Sequence, residues 1–311
     1  MKDSSPARGW SNLATGLGLL VIHLAALLAF VPALFSWNAI IAAAILAYLT
    51  GGIGITLGYH RLLTHRSLQM PKLLEYAVTF LGVLALQGGP ISWVATHRRH
   101  HAYSDREGDP HGMDRGFWWA HVGWLYLPNA ARPTIVEQRR LAADLSADPV
   151  YGFLDKTAVL WQIALAAVLF AIGGWPFVVW GIFVRLVVTY HITWFVNSAC
   201  HWTGYRTFRT GDRSTNNWWV ALLAWGEGWH NNHHAFPFSA RHGLGRFEFD
   251  FTWLTVRALQ LAGIVRRVKL PTPEMLDRLR VIGPQFVPVP AVAPNDSIAP
   301  AATPRQSPPS L

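Results

Sequence analysis

The chain has 311 residues and a formal net charge of +9, and 51% of its residues are hydrophobic, among them 16 tryptophans. This is too apolar and too aromatic for an ordinary soluble domain, so the composition predicts a membrane-embedded protein. The single cysteine, Cys200, excludes a disulfide framework and a thiolate-held iron–sulfur centre, because each needs several sulfurs. Basic residues kept on the cytoplasmic side, next to anionic lipid, explain the positive charge, so we expect no nucleic-acid partner.

Four apolar runs predict membrane-spanning helices, which typically need about 20 residues. Residues 1–12 form a short polar N-terminal segment, and residues 284–311 form a Pro- and Ala-rich tail whose composition predicts disorder. We therefore expect an all-α integral membrane protein with four transmembrane helices, one domain over residues 13–283, and both termini in the cytoplasm. The predicted spans are about 13–35, 39–57, 158–172 and 176–196.

Three features within or between these spans need separate interpretation. The apolar run from Leu73 to Leu86 has only about 14 residues, short for a crossing, and predicts an interfacial or buried helix. Arg185 falls inside the fourth span, which is costly unless the side chain faces the bundle interior or reaches an interface. The sequence assigns it no role. His23, inside the first span, is expected to be structural or to bond between helices.

Eight of the 14 histidines fall into three tight clusters. On a helix, positions i, i+3 and i+4 return to one face, so the second and third clusters each converge. Neutral imidazole is the commonest metal ligand, and three such clusters indicate metal binding. His60 and His65 lie about 140° apart on a regular helix, so they are not expected to share one metal unless the helix ends between them. The clusters are His60 and His65; His97, His100 and His101; and His230, His233 and His234.

The predicted topology brings all three clusters to the cytoplasmic ends of the spans. The fourth span is long enough for its last turns to protrude into water, where Asn197 and His201 point the same way at i, i+4. His201 raises the number of converging imidazoles to nine, too many for one tetrahedral zinc. Two metals with four or five nitrogens each fit this number.

These motifs resemble the three histidine boxes of the membrane fatty acid desaturase family, over roughly residues 40–255. Residues 87–90 (QGGP) and 211–218 (GDRSTNNW) further resemble its Δ9 branch, which acts on acyl-lipid or acyl-CoA substrates. The boxes are residues 58–65 (GYHRLLTH), 93–101 (WVATHRRHH) and 226–237 (GEGWHNNHHAFP), with residues 197–201 (NSACH) in addition.

The resemblance implies a cytoplasmic helical cap that holds a di-iron site and uses O2 and two electrons to introduce a cis double bond, usually at C9 of a saturated acyl chain. The nine histidines become iron ligands, and Asn197 matches a position that reaches an iron through water. Trp93 and Trp194 match positions that line the acyl tunnel, although the sequence alone fits interfacial or core tryptophans equally well.

Carboxylates close to the clusters are candidates for orienting the imidazoles, since a ligating histidine usually donates its other N–H to a carboxylate or carbonyl. The alternative for each is an ordinary solvated charge. Four further histidines lie outside the boxes and are expected to be non-ligands with hydrogen-bonding or headgroup roles. The carboxylates are Asp105, Glu107, Asp109, Asp212 and Glu227; the histidines are His111, His121, His191 and His242.

Two other functions are compatible with the histidine clusters. A related histidine-box hydroxylase would leave a hydroxyl where a desaturase leaves an alkene. A membrane metal transporter would place its ligands near mid-membrane, along a path. For a desaturase, the expected partners are membrane lipids, a fatty acyl substrate carried on lipid, CoA or carrier protein, and a separate electron donor of the ferredoxin or cytochrome b5 type docking on the basic cytoplasmic face.

Overall fold

The computed structural model describes residues 6–287, and side chains only within residues 13–281. The predicted segments 1–12 and 284–311 therefore lie largely outside the described residues. The described chain is mostly helical, as predicted. Its α-helices are α1 (Pro6–Ala26), α2 (Trp37–Ala47), α3 (Lys72–Val83), α4 (Pro90–Tyr103), α5 (Trp124–Tyr126), α6 (Ile135–Leu141), α7 (Ala143–Ser146), α8 (Pro149–Val178), α9 (Arg185–Ser198), α10 (Trp218–Leu223), α11 (His230–Ala235), α12 (Phe251–Leu261) and α13 (Pro273–Leu279).

Shorter and wider helices complete these elements. The π-helices, in which each N–H bonds the carbonyl five residues earlier, are π1 (Tyr48–Thr64), π2 (Trp119–Gly123) and π3 (Val179–Val184). Single 3₁₀ turns occupy Leu27–Phe30, Pro32–Leu34, Met113–Arg115 and Ala199–His201.

Three of the described helical segments are long and apolar enough to cross a membrane: Leu13–Phe30, Trp37–Thr64 and Pro149–His201. This agrees with the prediction of a membrane protein. The third segment has 53 residues and is interrupted at Gly173 (φ −153°) and Gly174 (φ +67°). A positive φ is costly for any residue with a Cβ, so Gly174 permits a sharp break between two helices.

A close contact between α3 and π1 fixes the centre of the bundle. A Cβ on Gly54 would lie 2.3 Å from the backbone nitrogen of Gly82, so the two helices approach as closely as their backbones allow. The 12 residues of α3 are too few for a crossing. The segment 73–86 is therefore a short helix packed on π1 that ends inside the bundle, in agreement with the expectation of an interfacial or buried helix.

The segment after α9 folds back over the end of the bundle. Strand β1 (Gly204–Phe208) pairs antiparallel with β2 (Arg280–Val287), and the last four residues of β2 belong to the stretch predicted as a disordered tail. Asn231 on α11 accepts hydrogen bonds from the backbone N–H groups of Thr207 (2.9 Å) and Phe208 (2.8 Å) on β1. The six residues of α11 are thus held against the sheet, with their histidines directed at the bundle.

Candidate metal centre

The nine predicted histidines meet in two adjacent groups. Within each group the potential ligand atoms lie within 4.8 Å of one another. The groups adjoin, since the rings of His101 and His234 stack with centroids 4.6 Å apart. The five-histidine group comprises His60, His65, His97, His101 and His233, and the four-histidine group comprises His100, His201, His230 and His234.

The position of His65 corrects the expectation that His60 and His65 diverge. That expectation assumed a regular α-helix, but His60 lies in π1, and the His65 N–H bonds the His60 carbonyl at 3.1 Å, five residues back. In a π-turn, residues five apart lie on the same side. The two rings are therefore 4.9 Å apart between centroids and belong to the same group.

The ring nitrogens inside each group face one another. In the five-histidine group, the Nε2 atom of His233 lies 3.1 Å from that of His60 and 2.9 Å from that of His101. In the four-histidine group, the Nε2 atoms of His201 and His230 are 3.0 Å apart, and the buried Nε2 of His234 has no hydrogen-bond partner among the described residues. Two imidazole nitrogens bound at right angles to one metal at about 2.1 Å lie about 3 Å apart, so the donor set fits a metal in each group.

Carboxylates contact Nδ1, the ring nitrogen on the far side from the facing Nε2 atoms, in four of these histidines. Each carboxylate accepts a hydrogen bond from Nδ1–H, and in a neutral imidazole this tautomer leaves Nε2 unprotonated and available as a ligand. Glu107, by contrast, is exposed and forms none of these contacts. The pairs are His60 with Glu227 (2.6 Å), His100 with Asp109 (3.0 Å), His201 with Asp105 (2.7 Å) and His234 with Asp212 (2.7 Å).

Comparison with known proteins agrees with this geometry. Residues 34–248 match the family described as Fatty acid desaturase. The chain is 55% identical to an sn-1 stearoyl-lipid 9-desaturase of Anabaena variabilis, over 86% of this chain and 96% of that protein. It is 53% identical to an sn-1 stearoyl-lipid 9-desaturase of Synechocystis, over 80% of this chain and 78% of the relative.

The chain belongs to the fatty acid desaturase family. A further relative, a chloroplastic palmitoyl-monogalactosyldiacylglycerol delta-7 desaturase of Arabidopsis thaliana, is 48% identical over 88% of this desaturase and 73% of its own length. The protein is accordingly an oxidoreductase of lipid metabolism.

Burial sets the charge of the histidines in the desaturase. It holds the pKa of His97, His101 and His233 well below the usual value and lowers the pKa of His234 to about 4, with neighbouring histidines adding to the effect in each case. These rings are therefore neutral at pH 7, the form that binds metal. Burial acts in the opposite direction on Glu227, but His60, His242 and Arg61 keep its pKa well below the usual value, so it is ionised.

A cavity of about 370 Å³ lies beside the five-histidine group, and its walls include His97 and Asn197. Both predicted tunnel residues line it, and Trp93 also stacks on the ring of His97 with centroids 5.0 Å apart. A smaller space of about 50 Å³ is lined by Asn197, Trp93 and members of both histidine groups. Asn197 thus faces the space between the metal-site histidines and the larger cavity.

The sequence did not reveal the buried network behind Glu227. The Arg61 guanidinium is fully buried and donates to Glu227 (3.0 Å), to both oxygens of Asp250 (3.0 and 3.1 Å) and to the Ala240 carbonyl (2.8 Å). His242 Nδ1 lies 3.3 Å from Glu227. The position of Arg61 inside the first histidine box was a usable signal, whereas nothing in the sequence linked Asp250 or His242 to the site.

The other histidines outside the boxes occupy two places. His111 and His242 lie against the two groups without joining their facing nitrogens, at Asp109 and Glu227 respectively. The remaining three form a hydrogen-bonded row away from the groups, from His23 through His191 to His121 and on to Ser198, with successive contacts of 3.2, 3.0 and 3.0 Å. His23 therefore bonds between helices, as expected.

Proposed function

We propose that this desaturase introduces a cis double bond at the Δ9 position of a saturated acyl chain esterified to a membrane lipid. Two irons would be held by the nine histidines, with Asn197 contributing through a water. The observation that supports the proposal is that the larger cavity reaches the histidine groups, because His97 and Asn197 form part of its wall. An acyl chain in that cavity would have methylene carbons next to the metal site.

Iron bound there would supply the O2-activating chemistry that removal of hydrogen from an unactivated methylene requires, because no side chain supplies it. In the overall reaction, O2 takes up two hydrogens from the acyl chain, two electrons and two protons, giving two waters and the alkene. The residues of the chain bind and orient. Glu227, Asp105, Asp109 and Asp212 accept hydrogen bonds from Nδ1–H of four histidines and so orient their rings, and Trp93 covers His97 on the side of the cavity.

Two arguments favour a lipid-bound substrate over acyl-CoA. The cavity is lined in part by Ala14, Gly18 and Ile22 of α1, and only 6% of the residues in the apolar stretch Leu13–Phe30 are buried, so this helix gives the cavity a wall at the bilayer. The two relatives described as sn-1 stearoyl-lipid 9-desaturases act on lipid by name. We infer that the acyl chain enters from the membrane.

We infer four membrane crossings with the metal centre and both termini in the cytoplasm. At about 1.5 Å per residue, the 53 residues of Pro149–His201 would extend about 80 Å, against about 30 Å of hydrocarbon. The break at Gly173 and Gly174 divides this length into two crossings. The electron donor is then a separate cytoplasmic protein, of the ferredoxin or cytochrome b5 type, that meets exposed basic residues such as Arg106 and Arg139.

The test is expression in a desaturase-deficient host with a compatible donor, followed by gas chromatography of fatty acids from separated lipid classes. We expect a new Δ9 cis-monoene in glycerolipid before it appears in the acyl-CoA pool. His101→Ala should abolish it, and Glu107→Gln should leave it unchanged. A hydroxy fatty acid would favour the hydroxylase, and no new product with an active donor would contradict the proposal.

A further inference from the structure

Arg185 is a buried cation inside an apolar segment, with neutral hydrogen-bond partners. It is 1% exposed. Its guanidinium donates to the carbonyls of Gly181 (2.6 Å) and Leu84 (3.0 Å), to Thr50 Oγ1 (3.0 Å) and to Gln162 Oε1 (3.3 Å). A charge at membrane depth is expensive and usually serves function. Arg185 connects α9 with π1, α8 and the end of α3.

The Leu84 carbonyl is an unusual acceptor, because it marks the end of a helix inside the bundle. Leu84 is the C-cap of α3. The last carbonyls of a helix lack intrahelical partners and carry partial negative charge, which a cation stabilises. Gln162 also donates its Nε2 hydrogen to this carbonyl. Arg185 and Gln162 together therefore supply the donors that water would supply outside a membrane.

The turn that follows forms part of the cavity wall. Leu86 has φ +51° and Gly88 has φ +108°, both in the left-handed region. Such a conformation is strained for a bulky residue such as Leu86 and persists only where neighbours impose it. The Tyr190 hydroxyl donates to the Leu86 carbonyl at 3.0 Å. Leu86, Gly88 and Tyr190 all line the larger cavity.

Helix α9 therefore connects Arg185 and its hydrogen bonds to the part of the cavity that adjoins the histidines. Arg185 begins α9, and the same helix carries Tyr190, Trp194 and Asn197 along the cavity. Fixing Leu84 and Leu86 against α9 fixes the separation of the two cavity walls. It also fixes where the turn stands relative to Asn197.

We propose that Arg185, assisted by Tyr190, is a positioning residue that determines substrate specificity: it holds the Leu84–Gly88 turn in place and so sets which carbons of the acyl chain lie at the metal site and which chain length fits. This role rests on the proposed desaturation. Arg185 does not line the cavity and acts through the turn.

The experiment compares Arg185→Met, Arg185→Lys and Tyr190→Phe with the control Arg257→Met, which removes an exposed arginine on α12 away from the turn. Double-bond positions are mapped by mass spectrometry, and the ratio of palmitoyl to stearoyl product is measured in the same cells. One methylene in an apolar pocket changes discrimination roughly tenfold or more, so we expect Arg185→Met to shift this ratio, or the ratio of positional isomers, at least about threefold. Tyr190→Phe and Arg185→Lys should shift it less, in the same direction.

Unchanged ratios in Arg185→Met and Tyr190→Phe, even with reduced yield, would overturn the proposal and leave Arg185 a purely structural residue. If Arg185→Met does not fold, the ratios of Arg185→Lys decide in the same way, because Arg185, unlike Tyr190, is not among the residues that line the cavity. Competition of stearoyl and palmitoyl lipids with a brominated acyl lipid that quenches tryptophan fluorescence in detergent gives a second ratio, of affinities, that needs no turnover. A wild-type protein without desaturation but with an affinity ratio altered by Arg185→Met would refute the proposed reaction and retain the role of Arg185.

Discussion

In this candidate centre, the partner of Nδ1 determines how a histidine ring is oriented and which of its nitrogens could bind a metal. Where Nδ1 meets a carboxylate, the tautomer and the ring orientation are both fixed before metal arrives. Glu227 does this for His60 and is itself held by Arg61 and His242. Removing its charge would free the His60 ring and leave Asp250 as the one remaining carboxylate beside the Arg61 guanidinium.

Replacing Glu227 with Gln should therefore weaken the centre at the five-histidine group. Loss of such an outer partner costs roughly 10–100-fold in metal affinity or activity. Iron retained after dialysis against a chelator, measured per chain by mass spectrometry, reports the loss. Glu107→Gln removes an exposed carboxylate without a histidine contact and should match wild type. Equal retention in both variants would show that the carboxylate does not orient His60.

The lowered histidine pKa values also predict how the metal-free protein responds to acid. A histidine titrates at about 6.5 in the unfolded chain, whereas in the folded protein burial keeps the pKa of His97, His101 and His233 well below that value and lowers the pKa of His234 to about 4. The unfolded state thus binds protons first as the pH falls. The free energy of unfolding should be level above about pH 6.5 and should decrease from there toward about pH 4. Denaturant titration in detergent checks this, and a stability that rose over that interval would contradict the assigned neutral rings.

Among the helices, π1 contains the first histidine box up to Thr64, and its contact with α3 positions it in the bundle. Because a Cβ on Gly54 would meet the Gly82 backbone, Gly54→Ala must push the helices apart. Overpacking of this kind costs about 1–3 kcal/mol. We expect a lower melting temperature in detergent and lower iron content. Gly152→Ala on α8, where an added methyl meets nothing within 4 Å, should melt at or above the wild-type temperature. Similar melting of the two variants would rule out a tight contact at Gly54.

The helix that carries His60 was predictable from the sequence, but its winding was not. Apolar periodicity predicted a helix through His60, but it assumed α-helical winding and so separated His60 from His65. The sequence carries no local signal for the π-helical winding of π1, and the close contact of π1 with α3 joins Gly54 and Gly82, 28 positions apart. In contrast, Asp105, Asp109, Asp212 and Glu227 were predicted because each lies close to a histidine cluster in sequence. Proximity alone could not separate them from Glu107, whose side chain points to solvent.

At the scale of the whole molecule, the sequence predicted the class of fold, because apolar runs of span length reflect the bilayer directly. It also predicted that distant histidine clusters meet. It could not predict the contact of Arg185 with Leu84 or that of Arg61 with Asp250, because each joins residues more than 100 positions apart without a periodic signal.

The proposed topology places the α1–α2 turn and the metal centre on opposite sides of the membrane. Since Cys200 is completely buried, introduced cysteines can be labelled against a silent background. A membrane-impermeant maleimide should label Asn38→Cys in intact cells but label Glu107→Cys only after the membrane is opened. Both positions are exposed. Labelling of both, or of Glu107→Cys alone, in intact cells would contradict four crossings with a cytoplasmic centre.

We propose that nine histidines hold two irons, and the metal content per chain measures this. Protein purified in detergent and dialysed should retain two irons per chain, and removal of a ligand from the four-histidine group, His234→Ala, should reduce this to about one, since five imidazoles still suffice for the other metal. A single metal per active wild-type chain, or full activity with zinc in place of iron, would contradict a centre of two irons.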